Sequence, residues 1–161
     1  MTRDPAKLDL IDRKIVAVLM NDATTPIAQI AHQVGLSQTP CWKRIQKLEA
    51  NGVIKRRVAL VDPSALDVGL SVFVGIKAPE HGSAWREAFI TAINALPKVM
   101  EVWRMTGETD YLLRVAVRDM SAFDRFYTIL TDVVAVKSVN SQFALECVRH
   151  STAYPIDTHS R

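Results

Sequence analysis

The sequence predicts an α+β protein with an N-terminal winged helix-turn-helix and a C-terminal ferredoxin-like βαββαβ α/β sandwich. Short apolar stripes at three- and four-residue spacing fill the first fifty residues, whereas alternating strand-like segments begin at Leu70. Residues 1–60 hold ten Lys and Arg against five Asp and Glu, and the remainder holds ten against twelve. These contrasts predict a first domain at 1–61, a linker at 62–69 and a second domain at 70–161.

Three helices are expected in the first half. Asp9 is a suitable cap for a helix that ends near Met20, and Thr25-Pro26 is a start signal for the second. Gly35 ends the second helix in a tight turn, because glycine adopts the left-handed conformation at little cost. A third helix then runs from Ser37 to the Asn51-Gly52 stop. The alternating basic run at 55–60 predicts a short strand, the wing, before the linker.

The second half reads as six elements in the order βαββαβ. Strands are expected at 70–77, 99–106, 111–117 and 136–148, where apolar and polar residues alternate. Helices are expected from Ser83 to Leu96, where Pro97 follows, and from Ser121 onward. This order is the split βαβ arrangement of ferredoxin-like folds.

A helix, a glycine turn and a second helix within a basic segment are typical of a helix-turn-helix that enters the major groove. Residues 43–57 hold six bases and one acid. Gln bonds adenine and Arg or Lys bonds guanine in that groove, so the start of the third helix predicts base contacts. The base-reading set is Ser37, Gln38, Thr39, Lys43 and Arg44; the phosphate-contacting set is Lys47, Lys55, Arg56 and Arg57.

The same pattern has plainer interpretations. Three short helices with a glycine turn also occur in small α domains whose charges are merely solvated. Trp42 either packs on the wing or lies along the sugar-phosphate backbone, and packing is favoured because large aromatics usually bury. Cys41 falls on the inward helix face, which favours a core residue over a redox sensor, since a sensor needs an exposed thiolate of low pKa.

No catalytic constellation is visible, so the chain is not expected to be an enzyme. Its four histidines are scattered without metal-ligand spacing, and its two cysteines lie far apart, which predicts no metal, no cofactor and no disulfide framework. The N-terminus lacks an apolar signal region, and no apolar run is long enough to span a membrane. The expectation is a soluble cytoplasmic protein.

Eight segments together carry a resemblance to a known family. They are LDLIDRKI at 8–15, VGLS at 34–37, TPCWKR at 39–44, LEANGVI at 48–54, LVDP at 60–63, GETDYLLRV at 107–115, FALE at 143–146 and STAYPI at 151–156. In this order they resemble the Lrp/AsnC (feast/famine) transcription regulators from residue 8 to residue 156. TPCWKR combined with WRMTGE at 103–108 is most similar to the subgroup that activates cysteine desulfidation in response to cysteine.

The resemblance implies a sequence-specific regulator that binds double-stranded DNA and responds to a small amino acid, cysteine or another sulfur amino acid. It implies that the second domain dimerises, that dimers assemble into a larger ring, usually an octamer, and that the effector binds between dimers. The implied effector-binding residues are Met105, Thr106, Gly107 and Asp110, with Asn140 and Gln142 at positions where the family commonly has hydroxyl residues.

Each implied effector residue also has a structural explanation. Gly107 serves a close ligand approach or an ordinary turn, and Asp110 accepts from a ligand ammonium group or caps a turn. Asn140 and Gln142 are equally suited to be exposed strand residues. Two other functions also stay open: a ligand-insensitive architectural DNA-binding protein, and an amino-acid-binding module without a DNA role.

Overall fold

The computed structural model describes residues 8–159, which form two compact units. The N-terminal unit contains the described residues up to Ala59 together with the tail that begins at Val148, and the sheet unit is Leu60–Cys147. The expected domains 1–61 and 70–161 differ from this division, because the tail joins the first unit. Residues 1–7 and 160–161 of those expected domains lie outside the described residues.

Three helices build the N-terminal unit: α1 Leu10–Asn21, α2 Ile27–Val34 and α3 Gln38–Ala50. The Asp9 side chain caps α1 by accepting from the Asp12 N–H at 2.8 Å. Gly35 ends α2 with φ 73°, the left-handed region in which glycine is unstrained. Thr25-Pro26 was expected to start α2 with Thr25 as its cap, but Thr25 does not cap the helix. Pro26 holds that position, and the Thr25 hydroxyl donates to the Asp22 carbonyl instead.

The core of the N-terminal unit lies between the three helices. Cys41, Ile45 and Leu48 recur on one face of α3 and are buried, as their spacing predicts. Ile15 of α1 and Ile30 of α2 belong to the same core cluster, and both are almost fully buried. The outward face of α3 is therefore free for other contacts.

The predicted wing strand is wrong. Within the described part of the chain, residues 55–62 form no strand, and every one of them is exposed. A strand needs a neighbouring strand to accept its backbone hydrogen bonds. The regular elements described in the N-terminal unit are all helices, so the basic run has nothing to pair with. The expected linker then contains one 3₁₀ turn, Pro63–Leu66, capped by Asp62.

The sheet unit confirms the βαββαβ order. Its elements are β1 Leu70–Lys77, α4 Ser83–Asn94, β2 Val99–Arg104, β3 Tyr111–Val117, α5 Met120–Val133 and β4 Ser138–Phe143. The four strands lie in the order β2-β3-β1-β4, and every neighbouring pair is antiparallel. The expected helix caps shift by one or two residues. Gly82 precedes α4, and Asp119 caps α5 by accepting from the Ala122 N–H.

One face of the sheet is buried beneath the two helices, and the other is open. Side chains such as Val74 and Leu113 point into the helix-covered core and are fully buried. The open face is made of two cross-strand rows. They are Trp103, Leu112, Gly75 and Asn140, and then Glu101, Arg114, Phe73 and Gln142.

Candidate nucleic-acid interface and ligand-binding region

The start of α3 presents most of the predicted base-reading residues to solvent. Ser37 occupies the N-cap, and Gln38, Thr39 and Lys43 follow it on exposed positions. The Gly35 turn sets this end of α3 against α2. Polar side chains at the N-terminal end of the second helix of such a pair are positioned to meet base edges. Four of the five predicted residues therefore lie where the prediction requires.

Arg44 does not lie with them. Its Nη1 donates to Asp9 Oδ2 at 2.6 Å and to Asp12 Oδ1 at 2.7 Å, so the guanidinium is held against α1. The hydrogen bonds with Asp9 and Asp12 raise the pKa of Arg44. The Asp12 N–H, together with Arg44, lowers the pKa of Asp9. Arg44 thus clamps α3 to the start of α1, and the structure does not support the prediction that it reads a base.

The predicted phosphate-contacting residues fall into two groups. Arg57 Nη2 lies 2.9 Å from Glu49 Oε1, which ties the basic segment to the end of α3. Gln46 donates to the other oxygen of Glu49 at 3.2 Å. Lys47, Lys55 and Arg56 are exposed, and no carboxylate among residues 8–159 pairs with them. These three cations are available to phosphates.

Two exposed residues of α3 that carry hydrogen-bonding side chains, Trp42 and Gln46, are missing from the predicted set. Trp42 is 48% exposed, so the favoured expectation that it packs on a wing is wrong. Gln46 lies one turn beyond Trp42 and is also exposed. Both follow Gln38 at four-residue intervals, so helical spacing was a sufficient signal for them. Cys41 is buried as expected, and burial raises the pKa of its thiol.

The turn between β2 and β3 holds four of the six predicted effector-binding residues, Met105, Thr106, Gly107 and Asp110. The Met105 N–H donates to the Asp110 carbonyl at 2.8 Å and closes the turn. Gly107 has φ 105°, a conformation that favours glycine. Asp110 Oδ2 accepts from the Ala78 N–H at 2.9 Å, and Oδ1 lies 3.7 Å from His81 Nδ1. Asp110 therefore ties the turn to the end of β1 and keeps one oxygen for another partner.

A small polar depression of about 70 Å³ lies beside this turn. It is lined by residues of both charge signs and by two aromatic rings. The lining residues are Glu80, His81, Gly82, Trp85, Arg86, Arg104, Met105, Asp110 and Tyr111. Its cationic side was not predicted from the sequence, because Arg86 lies on α4, far in sequence from Arg104 and the turn.

The remaining predicted effector residues lie elsewhere. Asn140 and Gln142 are exposed on β4, opposite Gly75 and Phe73 on the open face of the sheet. Neither they nor Thr106 and Gly107 line the depression. A Cβ at Gly75 would lie only 3.3 Å from the Thr109 side chain, so the turn reaches over β1 toward Asn140. Of the six predicted residues, the depression brings together Met105 and Asp110.

Residues 8–159 contain no group of three His, Cys, Asp or Glu side chains that could hold a metal ion. None of the helices in that stretch is long and apolar enough to cross a membrane.

Residues 8–49 match the AsnC-type helix-turn-helix domain, and residues 71–154 match the Lrp/AsnC ligand binding domain. The chain is 43% identical to the DNA-binding transcriptional activator DecR of Escherichia coli over 93% of this chain and 99% of that protein. The chain belongs to the Lrp/AsnC family of transcriptional regulators. As an Lrp/AsnC regulator, it combines a DNA-binding helix-turn-helix domain with the ligand-binding domain of that family.

Other relatives agree with this assignment. The glutamate uptake regulatory protein of Zymomonas mobilis is 42% identical over 93% of this chain and 92% of its own length. The crystal structure of an AsnC family regulator from Agrobacterium tumefaciens is 44% identical, with a TM-score of 0.88, over 92% of this chain and 97% of that one. A Neisseria meningitidis transcriptional regulator solved as an L-Met complex is 32% identical, with a TM-score of 0.86, over 92% and 96%. Each of these three relatives is a regulatory protein.

Proposed function

We propose that this Lrp/AsnC regulator reads a specific DNA sequence through α3 and responds to a small amino acid, with cysteine as the first candidate, as a homo-oligomer in the cytoplasm. The observation that carries the DNA part is the exposed start of α3. There, polar and cationic side chains lie beside a glycine turn and lack protein partners among the described residues. The effector part rests on the charged depression beside the β2–β3 turn.

In this proposal the base-reading residues are Ser37, Gln38, Thr39 and Lys43. Lys47, Lys55 and Arg56 contact phosphates, and Arg57 does so while it remains tied to Glu49. Phosphate contacts fix position on the duplex and carry no sequence information, whereas base-edge contacts do. Arg44 contacts no base in this proposal; it holds α3 against the start of α1.

Two alanine variants test this division. A duplex enriched by the wild-type protein from a randomised library serves as the specific probe, and a scrambled duplex as the non-specific one. Lys43→Ala is expected to weaken binding to the enriched duplex by roughly tenfold and to leave the scrambled duplex less affected. Arg56→Ala is expected to weaken both alike and to reduce the salt slope by about one. Lys137→Ala, in the sheet unit, is the matched control. If Lys43→Ala and Arg56→Ala both bind the two duplexes like wild type, the assignment of base-reading and phosphate-contacting residues is wrong.

The depression fits an amino-acid zwitterion by its charges. Asp110 Oδ1, which lies 3.7 Å from His81, is suited to accept from an α-ammonium group, and the Arg86 and Arg104 guanidinium groups are suited to hold a carboxylate. Trp85 and Tyr111 provide an apolar border. In this proposal Thr106 and Gly107 shape the turn, and Asn140 and Gln142 act from the open face of the sheet.

Cysteine is proposed because TPCWKR and WRMTGE are most similar to the cysteine-responsive subgroup. A thermal-shift panel of the common amino acids, with cysteine under reducing conditions, tests the choice. Cysteine is expected to raise the melting temperature most, and Asp110→Ala is expected to abolish the shift while DNA binding without effector persists. A response to another amino acid, such as methionine or glutamate, would replace cysteine. The absence of any response would refute the effector proposal.

Assembly is proposed to use the open face of the sheet. Phe73 and Trp103 there are 37% and 57% exposed, and such apolar side chains on an uncovered face favour contact with a second copy. A dimer that assembles further, up to an octamer, follows from the family resemblance. Sedimentation of the full chain is the test. A protein that stays monomeric at micromolar concentration would contradict this proposal.

A further inference from the structure

The three tryptophans differ in how their indole groups are used. Trp85 stacks on Phe89 with ring centroids 5.0 Å apart, and its N–H donates to the Ala135 carbonyl at 2.7 Å. The Trp103 N–H donates to Glu101 Oε2 at 3.1 Å. Trp42 is 48% exposed, and within residues 8–159 its indole N–H has no acceptor and its ring contacts no other aromatic ring. Trp42 therefore offers both an apolar face and a free hydrogen-bond donor to a partner.

The position of Trp42 on α3 identifies the side from which a partner must come. Trp42 lies one helical turn after Gln38 and directly before Lys43, both of which are exposed. Arg44, the next residue, is held against Asp9 and Asp12 on the other side of the helix. The surface around Trp42 is thus polar and cationic.

That surface favours a nucleic acid over an apolar protein partner. Burying Lys43 and Lys47 beneath an apolar surface would cost their hydration without providing an opposite charge. DNA provides phosphates for both, and its major groove provides acceptor atoms and thymine methyl groups. The indole ring matches the methyl group, and the N–H, which only donates, matches the acceptors.

We infer that Trp42 is a specificity-determining residue that contacts a base edge in the major groove, with its ring against a thymine methyl and its N–H toward an acceptor. This inference rests on the proposed reading of DNA by α3. Trp42 then makes the kind of base contact that the sequence had predicted for Arg44. Base discrimination by α3 then depends on an aromatic side chain beside Gln38 and Lys43 rather than on an arginine.

The test compares Trp42→Ala, Trp42→Phe and wild type on the enriched and scrambled duplexes. Trp42→Ala is expected to bind the enriched duplex roughly tenfold more weakly, which is the effect of losing one base contact. Binding to the scrambled duplex and the salt slope are expected to stay unchanged, because no phosphate contact is removed. Trp42→Phe keeps a ring without the N–H, so its loss is expected to be smaller. Tyr154→Ala removes an exposed aromatic from the tail of the same unit and is the control.

A change in the DNA provides the second arm. Replacing thymines of the enriched duplex one at a time by deoxyuridine removes single methyl groups. One such replacement is expected to weaken wild type but not Trp42→Ala. If Trp42→Ala binds both duplexes like wild type, or weakens both equally, the inference is overturned while the proposed function stands. If the wild type enriches no sequence, the proposed function fails and the inference fails with it.

Discussion

The two units of this regulator are stabilised in different ways. The sheet unit buries fourteen residues in one cluster, which includes Phe89, Tyr111, Phe123 and Phe126. Among its described residues, the N-terminal unit buries seven in its cluster, and none of those seven is aromatic. Since apolar burial contributes free energy in proportion to the area removed from water, the sheet unit has much the larger apolar contribution.

The N-terminal unit compensates with polar contacts between its elements. Arg44 joins α3 to the start of α1, and Asp9 both caps α1 and receives Arg44. The Thr152 hydroxyl of the tail lies 3.5 Å from the Met20 carbonyl at the other end of α1. The comparison teaches that the small helical unit adds ionic and capping contacts between its elements to a core much smaller than that of the sheet unit.

The largest expected effect is in the sheet unit. Phe89→Ala removes a ring that is 1% exposed, stacks on Trp85 and packs at a tilt against Tyr111. It is expected to lower the free energy of unfolding of that unit by about 4 kcal/mol, because a cavity adds to the lost burial. Native-state hydrogen exchange at increasing urea concentration measures the free energy of unfolding of each unit separately. Ile90→Ala, next to it but 45% exposed, is expected to cost little. An equal loss in both variants would contradict the packing argument.

A core change in the N-terminal unit is expected to cost somewhat less. Ile45→Ala removes a side chain that is 2% exposed between the three helices. The expected loss is about 3 kcal/mol, and because this unit has the smaller core, the loss is a larger share of its stability. Hydrogen exchange is expected to show faster opening of α1–α3 and unchanged protection of β1 and β3. The exposed Gln33→Ala serves as the control. Loss of protection in both units would show that they unfold together.

The clamp is expected to have a smaller effect. Arg44→Met keeps much of the side-chain bulk and removes both ion pairs, at an expected cost of about 1 kcal/mol, since the Arg44 side chain is one-third exposed to solvent. A double-mutant cycle with Asp12→Asn isolates the coupling between the two residues. No coupling in that cycle would mean that the contact adds nothing to stability.

The smallest expected effect depends on pH. The Asp12 N–H, with help from Arg44, holds the pKa of Asp9 below its ordinary value of 3.8. The stabilisation is therefore complete above that value and is lost as pH falls through the lower pKa of the folded protein. Asp9→Asn keeps a capping oxygen without the titration, so its stability is expected to depend less on pH below about pH 4. Identical acid unfolding curves for the two proteins would refute this role.

Periodicity was sufficient to predict most of the fold. Strand β3 has the predicted bounds of 111–117, because an apolar segment between two turns leaves little choice of where the strand begins and ends. The wing strand failed because alternation at 55–60 describes only one member of a pair, and strand formation needs both. The tail also escaped prediction, because its contact with α1 is distant in sequence and leaves no local pattern.

For the candidate site, the sequence showed which helix face is outward but not where each long side chain ends. Lys43 and Arg44 are neighbours with the same charge, yet Lys43 has no ion-pair partner among residues 8–159, whereas Arg44 is bound to two carboxylates at the start of α1. That choice depends on how α1 and α3 pack, which is a tertiary property. The depression was only partly predicted for the same reason, since Arg86 on α4 meets the β2–β3 turn only in the folded unit.

The contact between the tail and α1 affects the order in which the two units fold while the chain is synthesised. Met20 and Thr152 are 132 residues apart, and the whole sheet unit is translated between them. On the ribosome, α1–α3 emerge early and are able to associate from local contacts, but their contact with the tail waits until the sheet unit and then the tail have been translated. Contacts of such long range slow folding more than they change the final stability, because the entropy of closing a loop grows only slowly with its length. The unit that is translated first is therefore completed last.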